Sequence, residues 1–255
     1  PTATALAGPA NKQARIAADN SLGRASVFRG TLGTAVVKVF DTTVASTGAN
    51  EKTLHAHSIP YLASYTHSGS HASYYPGAKM LSIKLLFSPG QGKVLGAQIV
   101  GGEGADKRID ILATAIRAGM KVSDLEELEL AYAPPYSSAK DPVNIAGFVA
   151  NNILKGDMEP VSPAAIRELP ADHIIIDLRE KWELDATGII PGALHISLRD
   201  LRERLPGLDK DKTYVLYCAV GMRGYIGQRI LKQNGFRSKN LTGGFTTFSS
   251  SREET

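Results

Sequence analysis

The chain carries a single cysteine, Cys218, within the run Cys218-Ala219-Val220-Gly221-Met222-Arg223-Gly224. The β-branched and aromatic stretch Thr213–Tyr217 before it predicts a buried strand. Gly224–Leu231 after it follows a helical pattern, closed by Asn234-Gly235. The thiol is therefore expected at a strand end, in a tight loop over a helix N-terminus. Backbone N–H groups in such a loop converge into an anion nest. The helix start adds partial positive charge and Arg223 a full one, and all three favour a thiolate. The chemistry this allows is nucleophilic attack by sulfur.

A second candidate is the loop Ala131-Tyr132-Ala133-Pro134-Pro135-Tyr136-Ser137-Ser138-Ala139-Lys140-Asp141-Pro142-Val143-Asn144. Its adjacent prolines fix φ. Two phenols and a lysine on a stiff loop could bind an anion or stabilise a thiolate; equally, the tyrosines could pack at an interface. His55, His57, His67 and His71 crowd one region, but no cysteine or paired carboxylate joins them, so no metal site is expected.

The elements that would hold the tyrosine loop read as α+β. Val36–Phe40 and Met80–Phe87 have strand character, and Val94–Val100 returns after the turn Ser88-Pro89-Gly90-Gln91-Gly92 as an antiparallel hairpin. A helix is expected from Ala105 to Ala118, with Ile109, Leu112, Ala113 and Ile116 on one face and Gly119 as cap. Ser123 is expected to begin a short helix, and Asp141-Pro142 a longer one ending near Lys155-Gly156. Residues 156–163, with two prolines, read as a linker.

At 255 residues the chain has room for two domains, and its 43% hydrophobic and 21% charged residues describe a globular protein. A net charge of +4 without a Lys/Arg-rich block argues against a nucleic-acid footprint. No apolar run spans a membrane and no signal-peptide pattern opens the chain. It begins at Pro1, so residues are expected to precede it. One cysteine excludes an internal disulfide, and a lone reactive thiol suits the cytoplasm.

The Cys218 loop resembles the active-site loop of rhodanese domains, the sulfurtransferases. Ile174–Glu180 is similar to that family's first core strand with its Asp-x-Arg, Gly188–Ile196 to its Gly-His-Ile-Pro-Gly-Ala turn with Ile189 in place of His, and Asn240–Phe245 to its closing Leu-x-Gly-Gly turn. The resemblance runs from about residue 160 to 250. It implies an α/β domain with a parallel sheet, with Cys218 as nucleophile and persulfide carrier. Ala219, Val220, Gly221, Met222 and Gly224 would form the persulfide loop, and Arg223 would orient the loop or an anionic substrate. Asp177 and Arg179 would brace the loop, and His195 would cap structure. Four residues separate Cys218 from Arg223; the phosphatases of the same fold use a loop one residue longer, so sulfur rather than phosphate is the expected cargo.

The tyrosine loop resembles the C-terminal dimerisation domain of flavin-dependent pyridine nucleotide-disulfide oxidoreductases, the coenzyme A-disulfide reductase branch above all. His71–Gly77 matches too, and Leu6–Asn20 resembles the segment leading from that family's flavin domain. Dimerisation domain followed by rhodanese domain is the order of the coenzyme A-disulfide reductase–rhodanese fusions, some of which reduce persulfides. The resemblance implies three parts: residues 1–25 ending a flavin-binding domain, 26–158 an α+β dimerisation domain with an antiparallel sheet, and 159–255 the rhodanese domain. It implies a homodimer acting on a small-molecule thiol, persulfide or coenzyme A substrate, with Tyr74, Tyr75, Tyr132, Tyr136, Lys140, Asn11 and Lys12 as substrate-binding residues. FAD, NAD(P)H and coenzyme A belong to the full-length enzyme. Gly101-Gly102-Glu103-Gly104 lacks the spacing of a dinucleotide fingerprint, so this chain alone is expected to bind none of them. A free-standing thiosulfate-type sulfurtransferase on a dimeric scaffold and a non-catalytic dimerisation module are the alternatives.

Overall fold

The computed structural model describes residues 4–251; the outer ends of the first and last expected domains, residues 1–3 and 252–255, lie outside the described residues. Helix α1 (Ala7–Ser21) leads into β1 (Ala35–Val39), β2 (Thr42–Gly48), α2 (Glu51–Ala56), β3 (Leu62–Gly69), β4 (Met80–Phe87), β5 (Val94–Gly101), α3 (Ala105–Ala118), α4 (Val122–Glu127) and α5 (Pro142–Leu154). The second half runs β6 (Pro160–Val161), β7 (His173–Asp177), α6 (Lys181–Thr187), β8 (Leu194–His195), α7 (Leu201–Arg204), β9 (Thr213–Tyr217), α8 (Met222–Gln233), β10 (Arg237–Leu241) and α9 (Gly244–Ser250).

The first sheet is antiparallel, in the order β1-β2-β5-β4-β3. Alternation along β4 turns Leu81, Ile83 and Leu85 inward, where they meet Ile99 of β5, Ile109 and Leu112 of α3, and Val143 and Ala146 of α5. The opposite face carries a row in register, Val37, Val44, Val100, Ser82 and His67. α3 ends at Gly119 in the left-handed conformation, as its sequence predicts. α5 opens on Asp141, whose carboxylate accepts from the Val143 N–H at 3.0 Å.

The second sheet is parallel, in the order β6-β10-β9-β7-β8. β9 is buried along its whole length at the centre, which is why it reads as an unbroken apolar run. One face packs Ile176, Leu216, Ile230 and Leu231; the other packs Val215, Tyr217, Phe245 and Phe248.

Three expectations need correction. Residues 156–163 are not a free linker, because Pro160-Val161 form the edge strand β6 against β10; an edge is where a sheet tolerates proline. α4 opens at Val122, not Ser123, with the Lys121 N–H bonded to the Asp124 carboxylate at 2.7 Å. α8 begins two residues before Gly224, which places Arg223 in its first turn.

The two sheets meet at the edge strand β3. Its Tyr65 N–H donates to Thr242 Oγ1 at 3.0 Å, and His67 links Ser82 Oγ (2.8 Å) to Thr247 Oγ1 (2.7 Å). Burial pushes the His67 imidazole below its ordinary value, against a raising contribution from the Gly243 backbone. Asp157 accepts from Arg229 at 2.8 Å, and Tyr225 of α8 packs on the first core.

Candidate functional site

Cys218 leaves the carboxyl end of β9, the central strand, where loops of a parallel sheet form a crevice. Gly221 is the α8 N-cap at φ +106°, a backbone that favours glycine, and its N–H donates to Cys218 Sγ at 3.2 Å. The thiol is 1% exposed. Arg223, one residue into α8, faces the sulfur. Its two terminal nitrogens grip the Glu183 carboxylate of α6, each at 2.7 Å. Arg223 holds the Glu183 carboxyl below the usual carboxylate range, against a smaller raising effect of burial, and Glu183 in turn raises the guanidinium. The two form a charge-assisted fork. The Glu180 N–H also donates to Glu183, at 2.9 Å.

Behind the loop, Asp177 and Arg179 form a buried pair at 2.7 Å. Arg179 also donates to Thr187 Oγ1 and the Gly188 carbonyl, both at 2.7 Å, and its guanidinium lies 4.1 Å from the Phe245 ring centre. His195 Nε2 donates to the Arg179 carbonyl at 2.8 Å. On the other flank, Phe245 N–H and Thr246 N–H donate to the carbonyls of Cys218 (2.8 Å) and Ala219 (2.9 Å). A Cβ on Gly244 would lie 2.4 Å from the Cys218 carbonyl oxygen, so this turn admits no side chain.

The tyrosine loops hang on Arg108, 1% exposed, at the start of α3. It reaches Asp141 at 2.8 Å, the Ser70 carbonyl at 2.8 Å and Ser137 Oγ at 3.1 Å, tying segment 70–77 to segment 131–141. Tyr74 and Tyr132 share a hydrogen bond at 3.0 Å, which raises the Tyr74 phenol. Tyr75 stands edge-on to His71, while Tyr136 and Lys140 are exposed on the same loop system. Asn11 and Lys12 are not brought to the tyrosines. They are exposed on α1, and Lys12 lines a groove of about 1010 Å³ against residues 27–34 and the later part of α3, from Asp110 to Arg117. The four histidines disperse: His55 and His57 end α2, His67 is at the sheet junction, and His71 lies by Tyr75. No metal-binding group of His, Cys, Asp or Glu occurs among the described residues.

Residues 162–251 match the model of the rhodanese-like domain, and residues 34–142 match that of the pyridine nucleotide-disulphide oxidoreductase dimerisation domain. The two matched regions lie one after the other in a single polypeptide. The reduced Bacillus anthracis CoADR-RHD structure is 47% identical and superposes with a TM-score of 0.94 over 98% of this chain and 45% of its own. The NAD-dependent persulfide reductase from A. fulgidus is 41% identical, with a TM-score of 0.83 over 94% of this chain and 43% of its own. A coenzyme A disulfide reductase of Staphylococcus epidermidis is 41% identical over 151 residues, 59% of this chain and 34% of that protein. The chain thus spans less than half the length of each of these relatives.

Two residues central to these sites escaped the sequence reading. Glu183 leaves only a weak local signal, an acidic residue three positions after Glu180 at a helix start. Arg108 of α3 reads as a surface charge on an amphipathic helix until Asp141 is seen beside it.

Proposed function

We propose that Cys218 carries sulfane sulfur as a persulfide, and that the chain is the C-terminal portion of a flavin- and NAD(P)H-dependent coenzyme A-disulfide or persulfide reductase. The observation that carries this reading is the Cys218 sulfur held by the Gly221 N–H at the mouth of α8. The thiolate attacks the outer sulfur of a donor R–S–SH. The donor S–S bond breaks, Cys218–S–SH forms, and RS⁻ leaves with the electron pair. Backbone N–H groups of the loop then hold the sulfur added to Cys218.

In this reading residues 1–25 end a flavin-binding domain, 26–158 dimerise, and 159–255 transfer sulfur. The paired phenols of Tyr74 and Tyr132, with Tyr75, Tyr136 and Lys140, face a coenzyme A-type substrate in a homodimer; a lysine ammonium suits its phosphates. Asn11 and Lys12 act from α1 on a separate surface. The glycine run 101–104 before α3 does not by itself fit a dinucleotide phosphate. The run is closed by Arg108 Nη1, which occupies the space where a Gly104 Cβ would be, and by Lys79 beside Gly102. No helix of the described residues is long and apolar enough to cross a membrane, and a working thiol suits a reducing compartment such as the cytoplasm.

The test is Cys218→Ser. The hydroxyl is nearly isosteric but is not an anion at neutral pH. With a persulfide donor, mass spectrometry of the wild-type chain should show one added sulfur and the variant none, with matching circular dichroism. Sulfur on the folded variant would remove the assignment.

A further inference from the structure

Arg223 by itself would make the Cys218 site attractive to anions. Its surroundings point the other way. Both of its terminal nitrogens are taken by Glu183, and the pair is partly buried, with 13% exposure for Glu183 and 26% for Arg223. Salt screens such a pair less than an exposed one. The neighbouring loop side chains Ala219, Val220 and Met222 carry no charge, and the residue preceding Glu183 is Trp182, 70% exposed, as Met222 is 68% exposed. Asp177 and Arg179, behind the loop, cancel each other. The buried thiol is therefore faced by a guanidinium already matched to a carboxylate.

We infer that Glu183 sets the charge preference of the Cys218 site, admitting uncharged sulfur donors and holding back anionic ones such as thiosulfate. This rests on the persulfide role proposed above, and it adds the class of donor. An anionic donor approaching Cys218 meets the Glu183 carboxylate and must displace it from Arg223 to gain a partner. A neutral donor displaces nothing. Glu183 touches neither the sulfur nor the donor; it is a positioning residue acting through Arg223.

Because Cys218 is the only cysteine, alkylation reads the site charge without any sulfur transfer. The probes are neutral iodoacetamide and anionic iodoacetate, each referenced to its rate with free cysteine. The wild-type chain should favour iodoacetamide by roughly tenfold beyond that reference. In Glu183→Gln, iodoacetate should react roughly tenfold faster while iodoacetamide changes less than about threefold. A wild-type preference below about twofold would overturn the inference whether or not the variant folds. So would an unchanged ratio in a Glu183→Gln chain with wild-type circular dichroism. If the ratio shifts as expected while Cys218 never takes up sulfur, the charge preference stands and the persulfide reading fails.

Discussion

Replacing Arg108 by methionine should show how the tyrosine loops are held. Arg108 and Asp141 are each 1% exposed. Arg108 gives Asp141 three contacts between 2.8 and 3.3 Å and also serves the carbonyls of Ser70 and Gly104. Methionine fills much of the volume but leaves the buried Asp141 carboxylate with uncharged donors alone, the Ser137 hydroxyl and the backbone N–H groups of Val143 and Asn144. Stripping one partner from a buried ion pair costs about 3–5 kcal/mol, a large part of the roughly 5–15 kcal/mol of a typical domain. Urea unfolding of the chain should show that loss. Arg108→Met with Asp141→Asn removes the orphaned charge and keeps an oxygen for the helix cap, so the double variant should beat the sum of the singles by about 2 kcal/mol. The pH dependence has a definite sign. Burial alone would raise Asp141, but Arg108, Ser137 and Val143 hold it below 3.8. Its stabilisation is therefore present above that pH and lost as pH falls through the folded value. In Arg108→Met the same carboxyl should titrate above 3.8, so the gap between variant and wild type narrows from pH 7 towards pH 4. A loss under about 1 kcal/mol, or strictly additive singles, would refute the reasoning.

Gly244→Ala should destabilise by about 2–4 kcal/mol and lower persulfide loading, because its Cβ meets the Cys218 and Ala219 carbonyls at φ +59°. Gly8→Ala, with nothing within 4 Å, should stay within about 0.5 kcal/mol in the same urea melt. His67 is held neutral below its ordinary 6.5, so the unfolded chain binds the extra proton and stability should fall as pH drops below 6.5. His67→Gln should flatten that part of the stability curve, and an unaltered slope would show that His67 does not contribute it.

Local signals explain what was legible. The alternation of Met80–Phe87, the single apolar face of Ala105–Ala118 before Gly119, and Asp141-Pro142 each fix their element within a few residues. The strand–cysteine–glycine–helix run does the same for the loop. What escaped was set by distant partners. β3 reads as polar because its inward Ser64 and Thr66 are small hydroxyl residues while Tyr65 and His67 meet residues 177 and 180 positions away. Glu183 finds Arg223 across 40 positions, and Arg108 finds Asp141 across 33. No periodicity encodes pairs of that separation.

The turn Thr242-Gly243-Gly244 faces two ways. On one side its backbone approaches the carbonyls of the cysteine loop; on the other, a Cβ on Gly243 would lie 2.8 Å from Tyr65 Cβ of the first sheet. The halves are thus not interchangeable parts. A domain of the same fold taken from another protein would seat on β3 only if it brought hydroxyls at the positions of Thr242 and Thr247 and two residues without Cβ between them. Recombination that swaps one half alone would lose the contacts of Tyr65 and His67 with Thr242 and Thr247, which ties the inheritance of one half to that of the other.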